Sequence, residues 1–65
     1  MAEHPSPNYI RKIRSDIENY RVIVGGLQEE VCRYKKAGDE TSVRSMLEEI
    51  RRAEQSIANL EAQLP

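Results

Sequence analysis

Sixty-five residues limit this chain to one small domain, near the length at which a single core is only marginally stable without a metal, disulfides or a partner. A net charge of -1 excludes a strong long-range attraction for nucleic acid or anionic lipid, and a single cysteine excludes an internal disulfide. With 32% charged and 38% hydrophobic residues and neither Trp nor Phe, the composition suits exposed amphipathic helices better than a compact mixed domain.

The opening "MAEHPSPN" has two prolines and no apolar periodicity, so residues 1–7 are expected to be a disordered or extended tail. Two helix starts are compatible with it: Ser6 as N-cap with Pro7 in the first turn, or Asn8 as N-cap. From there Ile10, Ile13, Ile17, Tyr20, Val24, Leu27, Val31 and Tyr34 alternate spacings of three and four. This is a heptad seam, with Ile10, Ile17, Val24 and Val31 at a and Ile13, Tyr20, Leu27 and Tyr34 at d. The seam predicts a helix over about residues 8–36, and it passes through Gly25-Gly26 in phase although each glycine should cost about 1 kcal/mol relative to alanine.

The stretch "KKAGDETS" breaks the pattern. Lys35 and Lys36 suit a helix C-terminus, Gly38 the left-handed position after it, and Asp39 the next N-cap. A loop at about 37–39 then leads into a second helix at about 40–64, whose seam is Val43, Met46, Ile50, Ala53, Ile57, Leu60 and Leu64. A short loop makes the helices antiparallel neighbours. Pairing Tyr34 with Val43 then sets the two seams level in seven pairs, each an a position against a d position, from Val31 with Met46 down to Ile13 with Leu64. On one flank the same register sets Arg14 near Glu61, Arg21 near Glu54 and Lys35 near Glu40, and on the other it sets Glu30 near Glu49. The expected fold is therefore all-α, an antiparallel two-helix coiled-coil hairpin that associates into a four-helix bundle because each helix buries only one stripe. A parallel coiled-coil dimer through the first helix competes with it, supported by Asp16 with Arg21 and Glu30 with Lys35. A three-helix chain broken at the glycines would lose the continuous seam.

Residues for catalysis are sparse. His4 stands alone in the tail, and Cys32 falls at an outer heptad position with no activating base in the pattern. The acidic residues show no metal-site spacing, and "GGLQEEV" lacks the strand and the Lys-Ser/Thr of a phosphate loop. No catalytic residue, metal or cofactor is expected. Basic clusters at Arg11, Lys12 and Arg14, at Arg33, Lys35 and Lys36, and at Arg51 and Arg52 are diluted by neighbouring carboxylates, and the tyrosines lie mostly in the seam.

Gly25 and Gly26 occupy b and c, with Val22 at f and Ile23 at g beside them. Ile23 and Gly26 are expected near Ser56, with Asn19 and Asn59 close by, in a small, weakly charged patch. Val22, Ile23 and Leu47 have no partner in a two-helix seam. Missing side chains let backbones approach, so Asn19, Val22, Ile23, Gly25, Gly26, Leu47, Ser56 and Asn59 are the candidate association residues. The alternative is a weak, exposed helix turn.

The function these features suggest is a non-enzymatic protein-interaction module, an adaptor, regulator or chaperone that offers an apolar helical face to a partner helix or to its own copies. A regulatory nucleic-acid-binding hairpin dimer is the second reading. In shape and size such a hairpin is similar to the small hairpin export chaperones of bacterial type III secretion and to Rop-like bundles, with no motif matched residue by residue. Lone-cysteine usage makes a reducing cytoplasm the expected location, and the absence of a leader or a roughly 20-residue apolar run makes membrane insertion unexpected.

Overall fold

The structure, a computed structural model, describes residues 6–65. His4 and most of the predicted tail lie outside the described residues. Two helices, α1 (Pro7–Ala37) and α2 (Glu40–Glu61), pack against each other as a hairpin.

Helix α1 starts at the earlier of the two expected caps. Ser6 is extended, its Oγ accepts the Tyr9 N–H at 3.1 Å, and Pro7 takes the first helical position, where no N–H is needed. At the other end the helix closes on Gly38, which adopts φ 74° and ψ 18°. The Gly38 N–H bonds the Lys35 carbonyl and the Asp39 N–H bonds the Tyr34 carbonyl, at 3.1 and 3.0 Å, the two-bond pattern of a Schellman cap. Lys35 and Lys36 complement the negative helix end.

Asp39 serves both helices. Its backbone completes the α1 cap, while its carboxylate accepts the Ser42 N–H at 3.1 Å through Oδ1 and the Ser42 hydroxyl at 2.6 Å through Oδ2. These two bonds, the hydroxyl first, hold the Asp39 carboxyl below its ordinary pKa of 3.8. The connection is thus only Gly38 and Asp39, one residue shorter than the predicted loop, because Ala37 continues the helix up to the glycine.

The second helix ends at Glu61, three residues earlier than expected. After Ala62 the bonds tighten, with the Gln63 N–H on the Leu60 carbonyl and the Leu64 N–H on the Glu61 carbonyl. No glycine cap follows, and Pro65 disfavours helical backbone at Leu64. Leu64 nevertheless remains half-buried, carried by the turn.

Every predicted seam position is buried or half-buried. Val24, Val31, Ile50 and Ala53 form one contiguous core, with Tyr20, Leu27, Val43, Met46 and Ile57 packed on it. Ile13 and Ile17 are buried nearer the open end. The ion pairs across the hairpin differ from those expected. Arg21 reaches Glu61 at 3.1 Å instead of Glu54, and among the described residues Arg14, Lys35, Glu40 and Glu54 form no ion pair. The reason is geometric: side chains lean toward their own helix N-terminus, so Arg21 and Glu61 lean toward each other along the hairpin.

The result is a ribbon of 55 by 17 by 10 Å. Its radius of gyration is 15.7 Å, against about 11 Å for a compact chain of this length. Among the described residues no side chain is fully buried. The core is one stripe, closed on neither broad side.

Candidate interaction face

The seam divides the surface into two broad sides. Positions c and g of both helices flank it on one side, positions b and e on the other, and f positions point away. The eight candidate residues do not share one side.

Ile23 lies on the c/g side, where two adjoining grooves meet at Tyr20, Ile23 and Ser56. The larger, about 560 Å³, also takes in Asn19 and Asn59. The expected grouping of Asn19, Ile23, Ser56 and Asn59 is therefore present in space. It follows from the packing of the seam, which puts the g position of one helix beside the g position of the other. Gly26, at position c, is on this side one turn along from Ile23.

Gly25 and Leu47 lie elsewhere. Gly25 lines a groove on the b/e side with Arg21, Gln28, Glu54 and Ile57. Leu47 sits on that same side near the loop, among Lys35, Glu40, Val43 and Arg44. Val22, 66% exposed, occupies an f position on the outer edge. Adjacency in sequence separates Gly25 from Gly26 by 100° of helix rotation, which is enough to send them to opposite broad sides.

Neither glycine is required by the hairpin. A Cβ built on Gly25 or Gly26 meets nothing within 4 Å, and both have ordinary helical backbone; Gly38 alone has positive φ. Nothing inside the hairpin explains why the less favourable residue stands at these two positions.

The two sides differ electrically. On the b/e side Arg14, Arg21, Lys35 and Arg44 alternate with Glu18, Glu40, Glu54 and Glu61 along the grooves. On the c/g side Lys12 pairs with Asp16 at 3.4 Å and Arg33 with Glu30 at 3.8 Å near the ends of α1, while Glu49 and Arg52 of α2 line the groove beside Ile23, with Arg52 held by Glu48 of its own helix at 3.5 Å. Between these pairs α1 presents Asn19, Ile23 and Gly26, all uncharged. Within α2, Asn59 Oδ1 accepts from Gln55 Nε2 at 3.1 Å.

Tyr9 was missed by sequence reasoning as a surface feature. It is 45% exposed, and its hydroxyl donates to Gln63 Oε1 at 2.5 Å, tying the first turn of α1 to the turn that follows α2 at the open end of the hairpin. Its g position, one heptad before Asp16, was the available signal. Tyr20 and Tyr34 are half-buried in the seam.

Cys32 is exposed. Among the described residues no group of three or more His, Cys, Asp or Glu side chains is placed to hold a metal ion, and no helix is long and apolar enough to cross a membrane. No buried polar or charged side chain is present among them either. No protein-family model, curated protein or solved structure matches the chain.

Proposed function

We propose that this chain is a non-enzymatic protein-interaction module, a small adaptor, regulator or chaperone whose hairpin is completed by another helical surface. The observation that carries the reading is the unfinished core. Among the described residues no side chain is fully buried, while Ile23 and Leu47 stand about half exposed. The accessible surface is 5272 Å², about 1,000 Å² more than a compact monomer of this mass would show. A chain that leaves this much of two amphipathic helices in water gains stability by covering them.

In this reading the two seams mesh as an antiparallel coiled coil, a positions against d positions, and a second helical pair closes it into a four-helix bundle. The interface is the small-residue and apolar surface around Asn19, Ile23, Gly26, Ser56 and Asn59, with Val22, Gly25 and Leu47 on the remaining surface. Interleaving of carboxylates with arginines on the b/e side weighs against a nucleic-acid interface, because phosphates there would meet Glu54 and Glu61 as readily as Arg21. The reading places the protein in a reducing cytoplasm, where Cys32 stays a thiol.

The test is the helicity and thermal unfolding of the purified chain over a hundredfold range of concentration, alone and with any protein that co-purifies. The expected result is a melting temperature that rises with concentration or with the partner. A lone 7.5 kDa monomer, fully helical, with a high and concentration-independent melting temperature, would refute the reading.

A further inference from the structure

Resting on the proposed role as an interaction module, we infer that the occupant of the c/g side is a second copy of this chain, joined by a two-fold axis across Ile23. Four features of that side favour its own copy over a foreign partner.

The first is charge. Lys12 with Asp16 and Glu30 with Arg33 neutralise each other within α1, and α2 adds one carboxylate and one guanidinium, Glu49 and Arg52, at the groove beside Ile23, so the side offers no net charge for an acidic or basic partner to recognise. A surface that is itself neutral overall, with a guanidinium and a carboxylate of its own to set against Glu49 and Arg52, is the one that matches this side in charge. The b/e side, with its row of alternating ions, stays in water.

The second is the chemistry of the polar groups between those pairs. Asn19 and Asn59 present amides and Ser56 a hydroxyl, and each such group both donates and accepts. Self-complementary groups suit an isologous contact, in which the same patch faces itself. A side chain that only donates or only accepts would meet its own kind unsatisfied at such an axis.

The third is steric. Ile23 is 51% exposed with the small Ser56 across the groove and Gly26 one turn along. A projecting isoleucine beside a missing side chain is a knob and a hole on one surface. Two copies related by a two-fold axis exchange them, which gives Gly26 the role that the isolated hairpin does not supply.

The fourth is size. The broad side measures 55 by 17 Å, an area of the order that a stable interface covers on each partner, roughly 800 Å². The surface excess over a compact monomer is of the same order. Covering one broad side once removes it, and the assembly closes at two copies.

The experiment compares two matched variants, Ile23→Glu and Leu47→Glu, with wild type by sedimentation equilibrium in the presence of reductant, so that Cys32 plays no part. The two side chains are 51% and 49% exposed, on opposite broad sides, so the burden of the new charge on the monomer is alike. Wild type is expected at twice 7.5 kDa, with its self-association weakened at least tenfold by Ile23→Glu and unchanged by Leu47→Glu. Asn59→Arg, a second position on the c/g side, is expected to behave like Ile23→Glu, and circular dichroism checks that each variant remains helical at high concentration. Dissociation by Leu47→Glu but not by Ile23→Glu overturns the assignment of the face, and a mass beyond two copies overturns the two-fold closure. A 7.5 kDa wild type at 100 μM, on the order of the weak end of specific association, overturns the second copy as occupant. If that monomer is poorly helical alone, the wider interaction reading stands with a foreign partner; if it is fully helical and stable, both fail.

Discussion

Replacing Gly25 and Gly26 separately by alanine distinguishes a glycine that is merely tolerated from one that something else needs. Both lie in the interior of α1, where glycine is about 1 kcal/mol less favourable than alanine. At neither position does an added Cβ come within 4 Å of another group, so no steric cost offsets that gain in the isolated hairpin. Each substitution should therefore raise the folded-to-unfolded ratio of the free chain about fivefold, which for a domain of this size is a rise of about 4–8 °C in melting temperature. Their effects on association should diverge. Gly25→Ala adds its methyl group on the b/e side and should leave the dimer's affinity alone, whereas Gly26→Ala fills the hole beside Ile23 and should weaken it. Thermal unfolding by circular dichroism at a few micromolar gives the first quantity, and sedimentation equilibrium at higher concentration the second. A fall in melting temperature for Gly25→Ala would refute the claim that the hairpin makes no demand on that position. Equal gains from both variants in both assays would leave Gly26 an ordinary weak point in the helix.

Two further substitutions probe the loop. Gly38→Ala should behave oppositely to the other glycines: it meets no neighbour either, but its φ of 74° forces an L-residue into left-handed backbone at about 1–2 kcal/mol, so the melting temperature should fall, and an unchanged value would refute the Schellman assignment. Asp39→Asn keeps a capping oxygen for the Ser42 N–H but removes the titrating group. Because hydrogen bonds from Ser42 depress the carboxyl's pKa in the folded chain, its contribution is present above the ordinary value of 3.8 and is lost as pH falls through the lower folded value. Denaturant midpoints measured from pH 6 down to pH 2 should then decline less steeply for Asp39→Asn than for wild type; identical acid limbs would show that the Ser42 bonds do not perturb the group.

Much of this architecture was legible because helices obey local rules. Ser6 with Pro7, Lys35-Lys36 with Gly38, and Asp39 three residues before Ser42 each satisfy backbone groups at a helix end from within a few residues of sequence. The seam was equally plain, since burial on one helix face repeats every three or four residues whatever the partner is. The Arg21 partner was misjudged for the opposite reason: pairing by height ignores the lean of long side chains, which carries Arg21 toward Glu61. Ending the second helix at Leu64 was a similar error, since the seam continues to Leu64 although the backbone has already tightened into a turn at Ala62.

By itself the sequence determined two helices, the Gly38 and Asp39 caps, a short reversal between the helices and the stripe each helix buries, because all of these are set by hydrogen bonds and periodicities that span less than two turns. The heptad register also anticipated the grouping of Asn19, Ile23, Ser56 and Asn59, and only the tertiary structure decided which of the other candidate residues do not join it. Asn19, Ile23, Ser56 and Asn59 meet around joined grooves, while Gly25 and Leu47, as promising on paper, fall on the far side. The physical reason is that packing two cylinders along one seam fixes their rotation about their own axes. A residue's side of the ribbon depends on that rotation, and no short stretch of sequence encodes it.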